Sequence, residues 1–439
     1  MRVLGIGARV DLGSLYLGLM REGHEVRVHA SGPASAGAFG GLVETVADWR
    51  AELGWVGKGG VVLFERVGQG ALQDELRAAG YRVVGGSSLG DRLEYDRAFG
   101  QRVLRDAGLR TARSVAFPGP ADAAAWLARN PGRFVLKHDN NARATVVGEH
   151  PAGDDLRWVL GRTPPGRVLL MERLEGVEVG VGAYFDGRRF LRPACIDFEH
   201  KRFFPGEMGE MTTEMGTLAG FEGAERLFGA TLDRVAPSLA RAGHVGYVNL
   251  NMIVDERGPW PLEFTCRFGD PGFAVLAPLQ RDGWGDLLGR MLDGGGHEGF
   301  AVLPGWSVGI VLTVPPFPKE DAASPPEDDL PLFFREPPGA EEMARHHHPC
   351  DVRLEGGRLL ARRRTGRAMV VTGTGATVQE AQAGARARAR NVIAPDLRWR
   401  ADIGDRFLLR DGARLEELGW LPAPPRPAAA AAGPGLRAV

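Results

Sequence analysis

The segment Pro261-Leu-Glu263-Phe-Thr-Cys-Arg267-Phe-Gly-Asp270-Pro271 gathers groups that handle phosphate and metal. Its pattern predicts a strand that delivers the Glu263 carboxylate, then a turn that presents Arg267 and Asp270. A carboxylate supplies hard oxygen ligands to magnesium. An arginine fork grips phosphate or carboxylate through two parallel hydrogen bonds. Taken alone, one glutamate on a strand followed by an arginine turn serves structure more often than chemistry. The lysines add a second signal. Among 54 basic side chains only Lys58, Lys137, Lys201 and Lys319 are lysines. The two basic side chains are not interchangeable, so a lysine kept where arginine is the habit hints at a need for a compact ammonium.

Other candidates carry less. His346, His347, His348 and Cys350 are metal-ligand types, but consecutive histidines cannot easily all face one ion, and the segment reads as a loop. Arg386, Arg388 and Arg390 alternate within a predicted helix and spread around it, as on a solvated face. The net charge of -1 gives no global attraction to nucleic acid or to an anionic membrane. Cys195, Cys266 and Cys350 form neither a disulfide framework nor a paired zinc motif, which fits a reducing compartment. The first residues lack a signal-peptide pattern, and no stretch is apolar enough to span a bilayer. The expectation is a cytoplasmic protein with small-molecule partners and no nucleic acid or membrane partner, acting as a monomer or homodimer.

The elements that must position these residues fall into three units, within the two to four domains that 439 residues suggest. Strands at 2–6, 25–29, 61–64 and 81–84 alternate with helices, which predicts a doubly wound parallel sheet over 1–91. A second unit, 92–300, holds a helix at 97–107 and a lobe at about 112–173 with strands at 114–117, 134–137 and 168–172. It continues with a strand at 177–185, a helix at 223–242 bent at Pro237, and paired strands at 247–254 and 260–266. A smaller β-rich unit, 301–410, has an acidic, proline-rich loop at 315–329 and a helix at 378–391. The last segment, 411–439, reads as a Pro/Ala-rich disordered tail.

Several segments, in order, resemble the phosphoribosylamine–glycine ligase family. The Glu263 segment is similar to the family's Glu-Phe-Asn-Cys-Arg-Phe-Gly-Asp-Pro-Glu. Leu93-Glu94-Tyr95-Asp96-Arg97-Ala98-Phe99 is similar to Leu-Glu-Gly-Ser-Lys-Ala-Phe. Phe134-Val-Leu-Lys137 resembles Val-Val-Lys, and Met171-Glu172-Arg173-Leu174 with Gly176 and Glu178 resembles Glu-Glu-Phe-Leu-x-Gly-Glu-Glu. Glu199-His200-Lys201-Arg202 resembles Asp-His-Lys-Arg, and Trp399-Arg400-Ala-Asp402-Ile403-Gly404 resembles the closing segment. The likeness runs from about Met1 to Arg406.

The resemblance implies an ATP-grasp fold: a pre-ATP-grasp α/β domain, a two-lobed module that clasps ATP, and a small C-terminal β-rich domain. It implies ATP with Mg2+ or Mn2+, and a ligase of the kind used in purine biosynthesis. A carboxylate, glycine or another amino acid, is phosphorylated to an acyl-phosphate that an amine then attacks. It assigns Arg97, Lys137, Glu172, Leu174 and Glu178 to the nucleotide, and Glu263 and Thr265 to the metal. Arg267 and Lys201 become catalytic; His200, Thr213 and Asp270 bind substrate. On residue type alone, Lys137 can also be a strand-end surface lysine, Glu178 a loop acid and His200 a structural histidine.

The departures cluster. Gly-x-Gly-Gly-Arg-Glu-His is here Gly5-Ile-Gly7-Ala-Arg9-Val-Asp11, and the Gly-Pro-Glu-x-Pro turn that serves phosphoribosylamine is Phe64-Glu65-Arg66-Val67-Gly68-Gln69. The glycine-rich phosphate loop is replaced by His138-Asp-Asn-Asn-Ala-Arg143-Ala-Thr145, although glycines let backbone approach phosphate closely. Asn becomes Thr265, with Asn249 or Asn251 available to compensate, and Thr-Gly-Gly-Met-Gly becomes Thr213-Glu214-Met215-Gly216. The first two changes imply an altered amine substrate, whereas loss of the glycine-rich loop favours a scaffold. The competing expectation is a catalytically inactive ATP-grasp scaffold that binds a nucleotide.

Overall fold

The computed structural model of the chain describes residues 1–138, 145–294 and 296–422. The strands Arg2–Gly7, Glu25–Ala30, Glu44–Thr45, Val61–Phe64 and Arg82–Val84 pair in parallel, with Arg2–Gly7 at the centre. Every residue of Val61–Phe64 is buried, as in a parallel sheet covered on both faces. The carboxyl ends of the two central strands run into the Asp11 and Glu65 segments. Gly7 permits this closeness: a Cβ there would collide with the Arg9 carbonyl and the Glu65 carboxylate.

An eight-stranded antiparallel sheet forms the body. Its order is Gly258–Thr265, Val245–Asp255, Val177–Asp186, Cys195–Phe204, Met208–Gly220, Trp306–Thr313, Arg367–Gly375 and His347–Pro349. The last three strands come from beyond residue 300, so the third unit extends the same sheet. Side chains alternate across it. On Cys195–Phe204, Ile196 and Phe198 join the main core with Val181, Leu250 and Ile310. Asp197, Glu199 and Lys201 take the opposite face.

A smaller antiparallel sheet, Ser114–Phe117, Val168–Glu172, Phe134–His138 and Val146–Val147, forms a lobe of its own. The helices Pro120–Arg129 and Asp154–Leu160 close it over Leu127, Leu136, Leu156 and Leu170. Among the described residues, no helix is long and apolar enough to cross a membrane.

Two expectations change. The single helix at 223–242 is three short pieces, Glu225–Ala230, Leu232–Val235 and Ala236–Arg241. The break falls at Thr231, whose hydroxyl donates back to the Leu227 carbonyl at 2.6 Å. Pro237 then lies in the first turn of the last piece, where its missing N–H removes no helical hydrogen bond. The tail expected from 411 is folded as far as Pro422. Helix Gly412–Glu417 places Leu415 in the main core, with Leu421 beside it. The apolar residues of this short segment, not its composition, decide its state. Residues 423–439 lie outside the described residues.

Leu415 is fully buried. Leu415→Ala is expected to cost about 2–5 kcal/mol in denaturant unfolding. An unchanged midpoint would mean that the terminal helix is not part of the cooperative fold.

Candidate functional site

Glu263 stands in the third residue pair from the end of its strand, between the two lobes. Lys137 Nζ, from the small lobe, donates to Glu263 Oε2 at 3.1 Å. Arg97 Nη1 lies 2.9 Å from the same oxygen. Lys201 Nζ lies 3.9 Å from Oε1. Lys137 acts first, against burial, and Arg97 and Lys201 help to hold the Glu263 carboxyl well below the usual range. Burial pulls Lys137 below its ordinary value; Glu263 opposes this, while Arg97 and Lys201 reinforce it. For Lys201 burial also works against the charge, but Glu199, Glu178 and Glu263 outweigh it and hold the ammonium well above the ordinary range.

The floor is built from the polar face of neighbouring strands. Glu199 Oε2 is 2.7 Å from Lys201 Nζ. Asn251, in register opposite Glu263, donates weakly through Nδ2 to Glu178 and Glu199, each at 3.4 Å. Its Oδ1 is buried with no hydrogen-bond partner among the described residues. Deeper, Asn249 Nδ2 donates to Asp197 at 2.6 Å. Burial, then Glu199, push the Asp197 carboxyl up to about 7.

The turn after Glu263 is braced on both sides. Glu94, buried, accepts from the Cys266 amide at 2.8 Å and lies 3.5 Å from Arg267 Nε. Asp270 accepts both arms of Arg367 from the third unit. Asp270 and Arg367 line a small cavity of about 30 Å³ with Arg9, Asp11, Cys350 and Thr365, where the parallel sheet meets the third unit. Asp11 is paired there with Arg66. Glu65 is buried and accepts from the Tyr16 hydroxyl at 2.7 Å and the Asp11 amide at 2.8 Å. Burial, then the nearby Asp11 charge, push its carboxyl up to about 8.

The expected residues thus separate. Arg97, Lys137, Glu178, Lys201 and Glu263 converge. Thr265 follows Glu263 on the same face, in register with Asn249. Glu172 and Leu174 lie at the hinge between lobes, where the Glu172 amide donates to the Arg113 carbonyl at 2.8 Å. Arg267 and Asp270 flank the turn. His200 does not line the cleft. It points to the core side, where its Nδ1 faces the Phe198 carbonyl at 3.2 Å and its Nε2 accepts from the Gly404 amide at 3.3 Å. Burial and the nearby Arg406 and Arg400 charges push the imidazole down to about 3. Thr213 is exposed, and its neighbour Glu214 is the buried one. The substituted phosphate loop, including Asn140, Asn141 and Arg143, lies outside the described residues.

Glu199 and Glu94 were not assigned roles from sequence, whereas the Thr213–Gly216 change already marked Glu214 as an extra carboxylate near the cleft. The period of two would have separated Glu199 and Lys201 from His200. The histidine run also resolves: His346 Nδ1 meets Thr372 Oγ1 at 3.0 Å and His347 Nδ1 the Glu342 carbonyl at 3.3 Å, within strand and core. Among the described residues, no three His, Cys, Asp or Glu side chains are arranged to hold a metal unaided. Magnesium asks for less, since it keeps waters and phosphate oxygens and takes one or two protein carboxylates. Glu263 with the unpartnered Asn251 Oδ1 opposite fits that demand, and Lys137, Arg97 and Lys201 fit the charge of phosphates.

Residues 95–273 match the family model of the phosphoribosylglycinamide synthetase ATP-grasp (A) domain. The chain is 25% identical over 359 residues to phosphoribosylamine–glycine ligase of Neisseria meningitidis serogroup B, covering 77% of this chain and 82% of that protein. It is 29% identical over 349 residues to the Mycobacterium leprae phosphoribosylamine–glycine ligase, covering 73% and 81%. The fold is similar to the crystal structure of the Thermotoga maritima phosphoribosylamine–glycine ligase, with a TM-score of 0.73 and 20% identity over 92% of this chain and all of that one.

The Glu65 carboxyl has a stability consequence. Its proton is held in the folded protein up to about pH 8, whereas the unfolded chain releases it near the ordinary value of 4.5. The folded state therefore binds the extra proton, and this group's contribution falls as pH rises from about 4.5 to 8. Glu65→Gln is expected to shrink the loss of Tm between pH 5 and pH 8. An equal loss in both proteins would place Glu65 outside this linkage.

Proposed function

We propose that this chain, whose ATP-grasp module belongs to the phosphoribosylglycinamide synthetase family, is an ATP-dependent carboxylate–amine ligase with an altered amine substrate. The observation that carries the reading is the convergence of Lys137, Arg97 and Lys201 on Glu263 between two lobes. Three cations around one acid form a cradle that phosphate oxygens and a magnesium ion can enter. ATP supplies the phosphoryl group that makes the carboxylate substrate an acyl donor.

The chain's own residues then position and balance charge. Lys137 and Arg97 face the phosphates. Glu263, with Asn251 Oδ1 and Thr265, holds the metal. The hinge backbone at Glu172 and Leu174 meets the base, and Glu178 accepts from the ribose hydroxyls. Arg267, braced by Glu94, faces the acyl-phosphate. Lys201 lies between this charge and the floor acids. The carboxylate substrate is an amino acid. The amine departs from phosphoribosylamine, because Asp11, Glu65 and Arg66 now occupy the ends of the parallel strands as an internally paired cluster.

One observation favours a second reading, an inactive nucleotide-binding scaffold. Much of the cleft's charge is already matched inside the protein: Glu263 with Lys137, Arg267 with Glu94, Asp270 with Arg367.

ADP release with MgATP, a panel of amino acids and added amines separates the two. A ligase gives substrate-dependent ADP that falls at least about 100-fold in Glu263→Ala and in Lys137→Ala, the scale of losing a fixed charge at a phosphoryl site. ATP binding without turnover for any pair would select the scaffold.

A further inference from the structure

The Met208–Gly220 strand leaves regular pairing at one place. His200 pairs with Gly216 and Arg202 with Met211, so residues 212–215 lie opposite Lys201 alone. Bulges of this kind re-aim side chains and recur beside active sites. Thr212 Oγ1 donates to the Lys201 carbonyl at 2.7 Å and pins the bulge. Thr213 turns to solvent. Glu214 turns in, 5% exposed, and its Oε1 has no hydrogen-bond partner among the described residues.

A buried acceptor without a donor is costly. The charged groups facing Glu214 are Glu199, Asp197 and Lys201 from the adjacent strand and Asp270 from the turn after Glu263. Among these described groups three are acids, and the cation, Lys201, is already held by Glu199 at 2.7 Å. Burial, then Glu199, push the Glu214 carboxyl well above the usual range. A cationic donor placed against Glu214 would offset these acids and favour the carboxylate form, which can accept a proton.

We infer that Glu214 receives the ammonium of the amine substrate and takes its proton before the amide bond forms. This rests on the ligase reading above. Acyl-phosphates are attacked by neutral amines, whereas ordinary alkylamines are protonated near pH 7. One proton passes from the ammonium nitrogen to Glu214 Oε1. The freed nitrogen lone pair attacks the acyl carbon. The C–N bond forms, and the C–O bond to phosphate breaks. Phosphate leaves with that electron pair and takes the second N–H proton, so acyl-phosphate and amine become amide and hydrogen phosphate. Glu214 returns its proton to solvent. The surrounding acids favour a primary amine that is cationic in water and disfavour one that carries a phosphate ester.

Hydroxylamine separates the two halves of the reaction, because it is neutral near pH 7 and traps acyl-phosphates without a base. The full chain is assayed with MgATP and the amino-acid panel, using hydroxylamine in one arm and ammonia, ethanolamine and putrescine in the other. Glu214→Gln is expected to lower amide formation relative to hydroxamate about 100-fold, the ordinary contribution of a general base. It should also move the rise of kcat/KM for the amine to higher pH, to the amine's own pKa. An unchanged ratio and pH profile, or equal loss of both products, overturns the assignment. Hydroxamate with no amide from any of the three amines overturns it as well. Absence of hydroxamate from every carboxylate in the wild type removes the ligase reading itself, and is distinguishable from those results.

Discussion

The carboxylate of Glu263 is approached by Lys137 from the small lobe, Arg97 from the helix after the parallel sheet, and Lys201 from the central strands. These segments are far apart in sequence, and no local interaction brings them together. Three cations repel one another, and burial disfavours each. Glu263 makes their proximity tolerable, with Glu199 and Glu178 sharing Lys201. The arrangement contributes little net stability by the general rule for buried ion pairs. Its value is positional, since it keeps concentrated positive charge at the mouth between two lobes.

The rest of the architecture serves that placement. The continuous antiparallel sheet carries Glu178, Lys201, Asn251 and Glu263 on adjacent strands, so their spacing is set by strand separation and register. The third unit is tied to the same site through the shared sheet. Arg367 clamps Asp270, and the Gly404 amide holds the back side of the strand through His200. A change in the third unit therefore reaches the cleft through packed, hydrogen-bonded elements. His200 shows the division of labour within one strand: Glu199 and Lys201 make the cleft, while His200 anchors it from behind.

Much of the scaffold was legible from pattern. The parallel strands read as continuous apolar runs because both faces are covered. The Glu263 strand and the Phe134–His138 strand were marked by apolar residues around one charged group. Cys195–Phe204 and Met208–Gly220 carried no such signal, because their exposed and cleft-facing positions are charged or polar. Lysine scarcity marked Lys201 without placing it, and family resemblance placed it but brought His200 along, since a contiguous motif does not say which side chains share a face. The sequence placed the Glu214 carboxylate near the cleft but could not give its burial or direction. Its direction depends on a bulge of residues 212–215, and register is a property of two strands at once. The helix at 412–417 was hidden by the Pro/Ala-rich composition beyond it.

The distribution of change within the cleft is itself an argument. The groups assigned to phosphate and metal, Lys137, Glu263 and Arg267, keep the charges the family pattern demands. The altered positions, Asp11, Glu65, Arg66 and Glu214, lie toward the parallel sheet and the floor. There the new charges do not stand alone: Asp11 has Arg66, and Glu65 has Tyr16 and the Asp11 amide. Loss of function without selection does not select matched partners, because a single unpaired buried charge is already destabilising. Paired replacements beside retained charge fit the proposed shift of acceptor, although the phosphate side also differs at 138–145 and at Thr265. Glu214 is the exception among the altered positions: it is buried, and its Oε1 has no partner among the described residues, which is the place proposed for the substrate.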